Sequence, residues 1–172
     1  YPNFSLMFRK YCDTLKEQNK MDFDDQLVFA HWILTNDSSQ TEFWQNRYHY
    51  ICVDEAQDTS KIQHEIIRIL AHGNNIFMVG DEDQSIYGFR AAYPKALLNF
   101  RADYNNPYIL RMERNYRSTP QIVEKEQRFI SENKGRYEKT MVADRDDGNP
   151  VELINVNSVE EQYSKVLSVA KN

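Results

Sequence analysis

The sequence predicts an α/β fold built on a parallel sheet, and three features carry that prediction. Two short apolar runs, YICV (50–53) and IFMV (76–79), have the length and the β-branched or aromatic content of strands buried on both faces. Between them, KIQHEIIRILAH (61–72) repeats its apolar residues at helical spacing, so residues 50–79 read as strand, helix, strand. Helical periodicity flanks this βαβ unit on both sides, and its connectivity requires the two strands to run parallel with a right-handed crossover.

Ahead of the unit, Phe4, Met7, Phe8, Tyr11 and Leu15 recur at spacings of three and four and predict a helix with one apolar face. A second helix is predicted to start at Asp22, an N-cap residue type, and to bury Phe23, Leu27, Ala30 and Leu34. TNDSSQ (35–40) reads as a polar loop, followed by a short aromatic helix around Phe43 and Trp44. Inside the unit, Ser60 and Gln63 have capping-box spacing, Ile62, Ile66, Ile69 and Leu70 share one face, and Gly73 is placed to close the helix. Beyond Gly88 the pattern changes. Pro94 suits the first turn of a helix carrying Ala96, Leu97 and Phe100, ADYNNP (102–107) is a turn, and YILRM (108–112) reads as a strand. Pro120 opens a helix through Ile122, Val123 and Phe129 to about Glu132. RDDG (145–148) is then a loop, VELINV (151–156) a strand, and Ser158 with Glu161 caps a last helix. A shift in composition near residues 103–113 marks the expected domain boundary.

At 172 residues the chain has room for one domain or slightly more. Its 21 basic and 26 acidic residues leave a net charge of −5, which excludes a histone-like surface while leaving room for a local basic groove. A hydrophobic content of 41% and a charged content of 27% fit a folded globular domain rather than a disordered chain. No apolar run reaches the ~20 residues of a membrane helix, and the N-terminus lacks the basic-then-apolar layout of a secretion signal. Cys12 and Cys52 have neither metal-ligand spacing nor the number a disulfide framework uses, so a reduced, cytoplasmic setting is expected.

Ligands of open parallel sheets sit beyond the carboxyl ends of the strands, and both predicted strands carry acidic groups there. Asp54 and Glu55 are adjacent, so on an extended chain their side chains point opposite ways, and they suit a division of labour rather than two equivalent ligand roles. One would hold a hydrated magnesium ion and the other would position or deprotonate a water. Read alone, the pair is first of all an ordinary strand end at the surface. After the second strand, GDEDQSIYGFRAA (80–92) brings Asp81, Gln84, Tyr87, Phe89 and Arg90 close together. Gln84 could report an anionic ligand, Tyr87 and Phe89 offer flat faces for base stacking, and Arg90 could meet a phosphate or a base. Core packing of the aromatics and an ion pair for Arg90 account for the same residues. RMERNYRST (111–119) is locally basic within an acidic chain: Arg117 could reach a phosphate as an arginine finger does, and Tyr116 could stack on a nucleobase. A solvated charge run is the ordinary alternative.

Together, VDEAQDTS (53–60), VGDEDQSIYGFRAA (79–92) and NYRST (115–119) resemble, in order and spacing, the motifs of superfamily-one DNA helicases of the UvrD/Rep/PcrA type. MDFDDQL (21–27) is similar to a further family segment that precedes them, so the resemblance spans nearly the whole chain. It implies RecA-like architecture, with residues 1–112 the C-terminal part of a first motor domain plus a helical segment, and 113–172 the beginning of a second. It implies ATP and magnesium as cofactors, and single-stranded DNA or a duplex junction as the partner of a parent protein that separates strands 3′–5′. Carried over residue by residue, Asp54 would coordinate magnesium through water and Glu55 would be the base for ATP hydrolysis. Gln84 would sense the γ-phosphate, and Phe89, flanked by Tyr87 and Arg90, would stack on single-stranded bases. Tyr116 would stack on the adenine, and Arg117 would stabilise the γ-phosphate in the transition state.

One family element is missing from these residues. None of the five glycines (Gly73, Gly80, Gly88, Gly135, Gly148) is followed by Lys and then Ser or Thr, so no G-x-x-x-x-G-K-[ST] phosphate loop is present. The chain is therefore expected to be a piece of a longer protein, starting mid-protein without a Met and stopping soon after the second motor domain begins. By itself it is expected to hydrolyse ATP negligibly, to leave DNA unwound, and to be open to dimerisation or element swapping at exposed sheet edges. A catalytically inactive relative that binds single-stranded DNA or a partner protein is the alternative. A metal-dependent nuclease using Asp54, Glu55, Asp81 and Asp83 would need several carboxylates around two metals, and it leaves the aromatics and NYRST without a role.

Overall fold

The computed structural model describes residues 1–85, 92–93 and 95–170, which fall into two compact units, Tyr1–Ile109 and Leu110–Asn172. Pro94 and its predicted role in opening a helix lie outside the described residues.

The first unit begins with α1 (Phe4–Glu17) and α2 (Phe23–Asn36). Asp22 caps α2, accepting a hydrogen bond from the Asp25 N–H at 2.7 Å. That bond and the Tyr11 hydroxyl, which donates to the same carboxylate at 2.8 Å, hold the Asp22 carboxyl below the usual range. The predicted loop at 35–40 is reduced to one residue. Asp37 caps α3 (Ser38–Arg47), accepting from the Ser39 hydroxyl and the Ser39 and Gln40 N–H groups. A polar stretch rich in capping residues thus starts a helix where it was read as a loop. Leu34 is buried, Leu27 and Ala30 are half-buried, and Phe23, at the first helical position, is 86% exposed.

Strands β1 (Tyr50–Val53) and β2 (Asn75–Met78) pair in parallel, Tyr50 opposite Asn75 through Val53 opposite Met78. The βαβ reading is correct, with β2 starting one residue earlier than predicted. Burial on both faces is not: Tyr50 is 77% and Phe77 63% exposed, because two strands flanked by helices cover one face among the described residues. Between the strands lies α4 (Lys61–Leu70), where Gln63 Oε1 accepts from the Ser60 N–H at 2.7 Å and Gly73 takes a left-handed φ of 78° just past the end. Helix α4 packs against α2 and α3. Gln45 Nε2 donates to the Ile69 carbonyl at 2.7 Å, and Asn74 Nδ2 to the Gln45 carbonyl at 2.8 Å, which joins α3 to the end of α4. The helix predicted around Ala96, Leu97 and Phe100 is broken at Asn99 into α5 (Lys95–Leu98) and α6 (Phe100–Asp103). Val53, Ala56, Ala71 and Ala96 join Leu34 in the core.

In the second unit β3 (Arg114–Asn115) pairs in parallel with β4 (Val142–Ala143). Helix α7 (Pro120–Ile130) starts with proline at its first position, as predicted, and buries Val123. Helix α8 (Val159–Ala170) follows Ser158, whose hydroxyl accepts from the Glu161 N–H. Neither YILRM (108–112) nor VELINV (151–156) is a strand. Alternating apolar residues fit an extended chain, but a strand also needs a neighbour to receive its hydrogen bonds, and none lies beside either run among the described residues.

Candidate functional site

Because β1 and β2 run parallel and in register, their carboxyl ends open at the same edge. The pairing continues past both strands: the Val79 N–H donates to the Val53 carbonyl at 2.8 Å, and the Ala56 N–H returns to the Val79 carbonyl at 3.0 Å. The two following loops are thereby drawn together, and they are the loops that carry the candidate residues.

The first loop does not continue the extended strand assumed from sequence. Glu55 sits at φ 48° and ψ 43°, a left-handed conformation uncommon for a residue with a side chain, and a 3-10 turn (Ala56–Asp58) follows at once. Asp54 is exposed, and its Oδ1 accepts from the Glu55 N–H at 2.9 Å. The reversal at Glu55 brings Gln57 back beneath it, and Gln57, 2% exposed, is the most deeply buried large side chain of the unit. Its Nε2 donates to Glu55 Oε2 at 2.6 Å, and its Oε1 accepts from the Asp81 N–H at 3.0 Å. In the second loop, Asp81 Oδ2 accepts from Gln84 Nε2 at 2.9 Å. Glu55 and Gln84 are thus linked through the Gln57 side chain and through Asp81, which donates its backbone N–H to Gln57 and accepts from Gln84 with its carboxylate. Gly80 makes this possible: a Cβ there would lie 2.7 Å from Gln57 Oε1 and 2.8 Å from Leu97 Cδ1.

Behind the turn, the Thr59 hydroxyl donates to the Ala56 carbonyl at 2.7 Å and also meets Nε2 of His64 on α4. Burial pushes the His64 imidazole below its usual range, against smaller opposing effects of the Ala56 carbonyl and Asp103. His64 therefore serves as a neutral brace for the turn.

Asp81, Glu82 and Asp83 place carboxylate oxygens within 4.8 Å of one another, while Asp54 and Glu55 do not join that group. Asp54 and Glu55 therefore do not share a single-ion site with Asp81 and Asp83 among the described residues. Asp54 offers an exposed, hard oxygen donor at a strand end, a donor type that suits magnesium held through water. Tyr87, Phe89 and Arg90 lie outside the described residues.

In the second unit, Asn115 Oδ1 accepts from the N–H groups of Arg117 (2.9 Å) and Ser118 (2.8 Å), and this shapes the turn that presents Tyr116 and Arg117. Tyr116 is 62% exposed. The three arginines of RMERNYRST divide. Arg111 donates to the Glu138 carbonyl and lies over the Tyr137 ring, and Arg114 pairs with Asp144 at 2.8 Å. Within this unit, among the described residues, the Arg117 guanidinium has no such partner, although its backbone carbonyl accepts from Arg145. Gln57 and Asn115 were not marked out by sequence reading. Both are amides inside recognised motifs, and only the fold shows what their two ends touch.

Residues 2–105 match the family model of the UvrD/REP helicase N-terminal domain, and 110–172 that of the UvrD-like helicase C-terminal domain. The chain is 36% identical over 170 residues to a probable DNA helicase II homolog of Mycoplasma capricolum, covering 98% of this chain and 24% of that protein. It is 33% identical over 175 residues to the ATP-dependent DNA helicase Rep of Buchnera aphidicola, covering 99% and 27%. To the putative ATP-dependent DNA helicase YjcD of Bacillus subtilis it is 36% identical over 166 residues, covering 96% and 22%. It spans about a quarter of the length of these curated relatives. With both family models matched in order and the strand-end motifs folded against each other, the chain belongs to the UvrD/REP helicase family.

Proposed function

We propose that these residues are the hydrolysis and coupling segment of an ATP-dependent 3′–5′ DNA helicase, with RecA-like motor architecture divided at residues 112 and 113. The observation that carries the reading is the linkage of Glu55 to Gln84 through Gln57 and Asp81 at one edge of the parallel strands. A base and a γ-phosphate sensor need to answer to each other, and here the Gln57 side chain and Asp81, bonded at its N–H on one side and its carboxylate on the other, lie between them. ATP carries the electrophilic γ-phosphorus, and magnesium, when bound, would neutralise charge on its phosphate oxygens. Asp54 would hold the ion through water, Glu55 would take the proton of the attacking water, and Gln84 would read whether the γ-phosphate is present. Arg117 offsets charge that develops on the transferred group, which suits a guanidinium without an ion-pair partner in its own unit. Tyr116 stacks on the adenine, and Phe89, Tyr87 and Arg90 meet single-stranded bases and phosphates. Helicase relatives support DNA as the partner.

The 172 residues contain no phosphate loop, so by themselves they lack the amides and lysine that anchor a triphosphate. The isolated chain is expected to release phosphate from ATP only at background level, with magnesium and single-stranded DNA present. The full product of the gene encoding these residues is expected to hydrolyse ATP, and Glu55→Gln to reduce the rate by about 10²–10⁴-fold. Turnover by the isolated chain, or an active Glu55→Gln product, would overturn the reading. A full product that binds single-stranded DNA and releases no phosphate would identify an inactive DNA-binding relative instead.

A further inference from the structure

We propose that Gln57 is a positioning residue, whose buried carboxamide orients the Glu55 carboxylate and fastens it to the Asp81–Gln84 turn so that the two loops move as one body. The proposal rests on the reading of Glu55 as the base. A buried amide is costly unless both its ends are hydrogen-bonded, and an apolar side chain of similar size would fill the same space without that requirement. The ends of this amide go to different loops: Nε2 to Glu55 Oε2 at 2.6 Å, Oε1 to the Asp81 N–H at 3.0 Å. The Gln57 backbone carbonyl adds a third tie, accepting from the Ser85 hydroxyl at 3.3 Å. The absence of a side chain at Gly80 is what admits Oε1, since a Cβ would stand 2.7 Å from it.

The geometry makes the two ends separable. Glu55 sits at an exposed turn in a left-handed conformation, and the Gln57 N–H donor supplies its carboxylate with a fixed direction. Gln57→Met keeps length and bulk but loses both hydrogen bonds. Gln57→Glu keeps an oxygen that can accept from the Asp81 N–H, while it sets a second carboxylate against Glu55. In both variants a misdirected base lowers turnover without removing a contact to ATP, which is the signature of positioning rather than of binding.

Two measurements test this. In the full gene product, Gln57→Met and Gln57→Glu are each expected to lower kcat by about 10–100-fold, with KM for ATP changed by less than about 3-fold. In the 172-residue chain, hydrogen exchange of the Asp81 amide is expected to quicken at least about tenfold in Gln57→Met and to stay near wild type in Gln57→Glu. The Val79 amide, bonded to the Val53 carbonyl, serves as the control that the strands remain paired. Should Gln57→Met not fold, Gln57→Glu carries the test alone, through a lowered kcat and a protected Asp81 amide. Unchanged kcat in both variants would overturn the proposal, as would a raised KM at constant kcat. So would an Asp81 amide indifferent to Gln57→Met. An active Glu55→Gln product is a different failure: it removes the base itself, and the exchange data then describe only a structural tie.

Discussion

At the ends of β1 and β2, the candidate side chains are themselves held, Glu55 by the Gln57 amide and Gln84 by the Asp81 carboxylate, and Gln57 also accepts from the Asp81 N–H. At the turn after β3 the Asn115 side chain accepts from two successive N–H groups and holds only backbone, while the candidate side chains Tyr116 and Arg117 remain exposed above it. In the first region functional geometry and packing are the same set of contacts, so a change to one disturbs the other. In the second, the presented side chains add little to the fold and can be altered separately.

Arg117 gives the sharpest test of that contrast. Under its proposed role, Arg117→Ala in the full gene product should cut ATP hydrolysis by about 10³–10⁵-fold. Because its guanidinium has no partner within 110–172 among the described residues, the melting temperature of the 172-residue chain should not move. A stability loss accompanying the rate loss would erase the distinction between the regions.

Two glycines extend the comparison to packing. At Gly80 an added Cβ meets Gln57 Oε1, Leu97 Cδ1 and, at 3.2 Å, the Ala56 nitrogen, with Gln57 and Ala56 both buried. Gly80→Ala should destabilise the first unit by about 1–3 kcal/mol in urea unfolding. At Gly148 the three atoms nearest the Cβ all belong to the Thr119 side chain, at 2.6 to 3.0 Å, and Thr119 caps α7, so Gly148→Ala should destabilise the second unit by about 1–2 kcal/mol. Trp32 and Trp44 both lie in the first unit. Tryptophan fluorescence should therefore report the Gly80 variant and miss the Gly148 variant. The reverse pattern would mean that the strand-end loops are the softer region.

Asn115→Ala leaves two turn amides without their acceptor and should cost about 1 kcal/mol, while Asn115→Asp, which keeps an accepting oxygen, should cost less. Amide exchange at Arg117 and Ser118 is the readout. If both variants behave like wild type, the turn is held by something other than Asn115.

How far the sequence foretold this depended on whether a signal was local. The βαβ unit was legible because strand length, helical period and the Ser60–Gln63 cap are written within 30 residues. The start of α7 was legible because proline fixes the first turn by itself. Asp37 misled, because a residue that follows one helix and caps the next looks in sequence like a loop. VELINV misled because alternation describes a strand's faces and not its neighbours. Among site residues, the acidic strand ends and the exposed Arg117 were visible by residue type. Gln57 was not, since a glutamine reads as surface until the fold surrounds it; the Gly80 two residues beyond β2 was the one cue that something would approach closely there.

The smallest expected effect concerns the brace behind the first loop. His64 is buried against Thr59 and the Ala56 carbonyl, and burial lowers its folded-state pKa below the unfolded value of about 6.5. As pH falls through that value the unfolded chain takes up a proton that the folded chain refuses, so stability is full above about pH 6.5 and declines below it. Carboxylates held low by their hydrogen bonds, Asp22 and Asp37 in the first unit and Glu160 in the second, lose their contributions only at more acid pH, as pH falls through their lowered values. The first unit should therefore show an acid limb of its own. Urea unfolding followed by tryptophan fluorescence from pH 8 to about 5.5 should show wild type weakening relative to His64→Gln, which can still bond Thr59 without titrating in this range. Parallel curves would mean that His64 accepts its proton in place, and that the turn carrying Glu55 is open enough to let it.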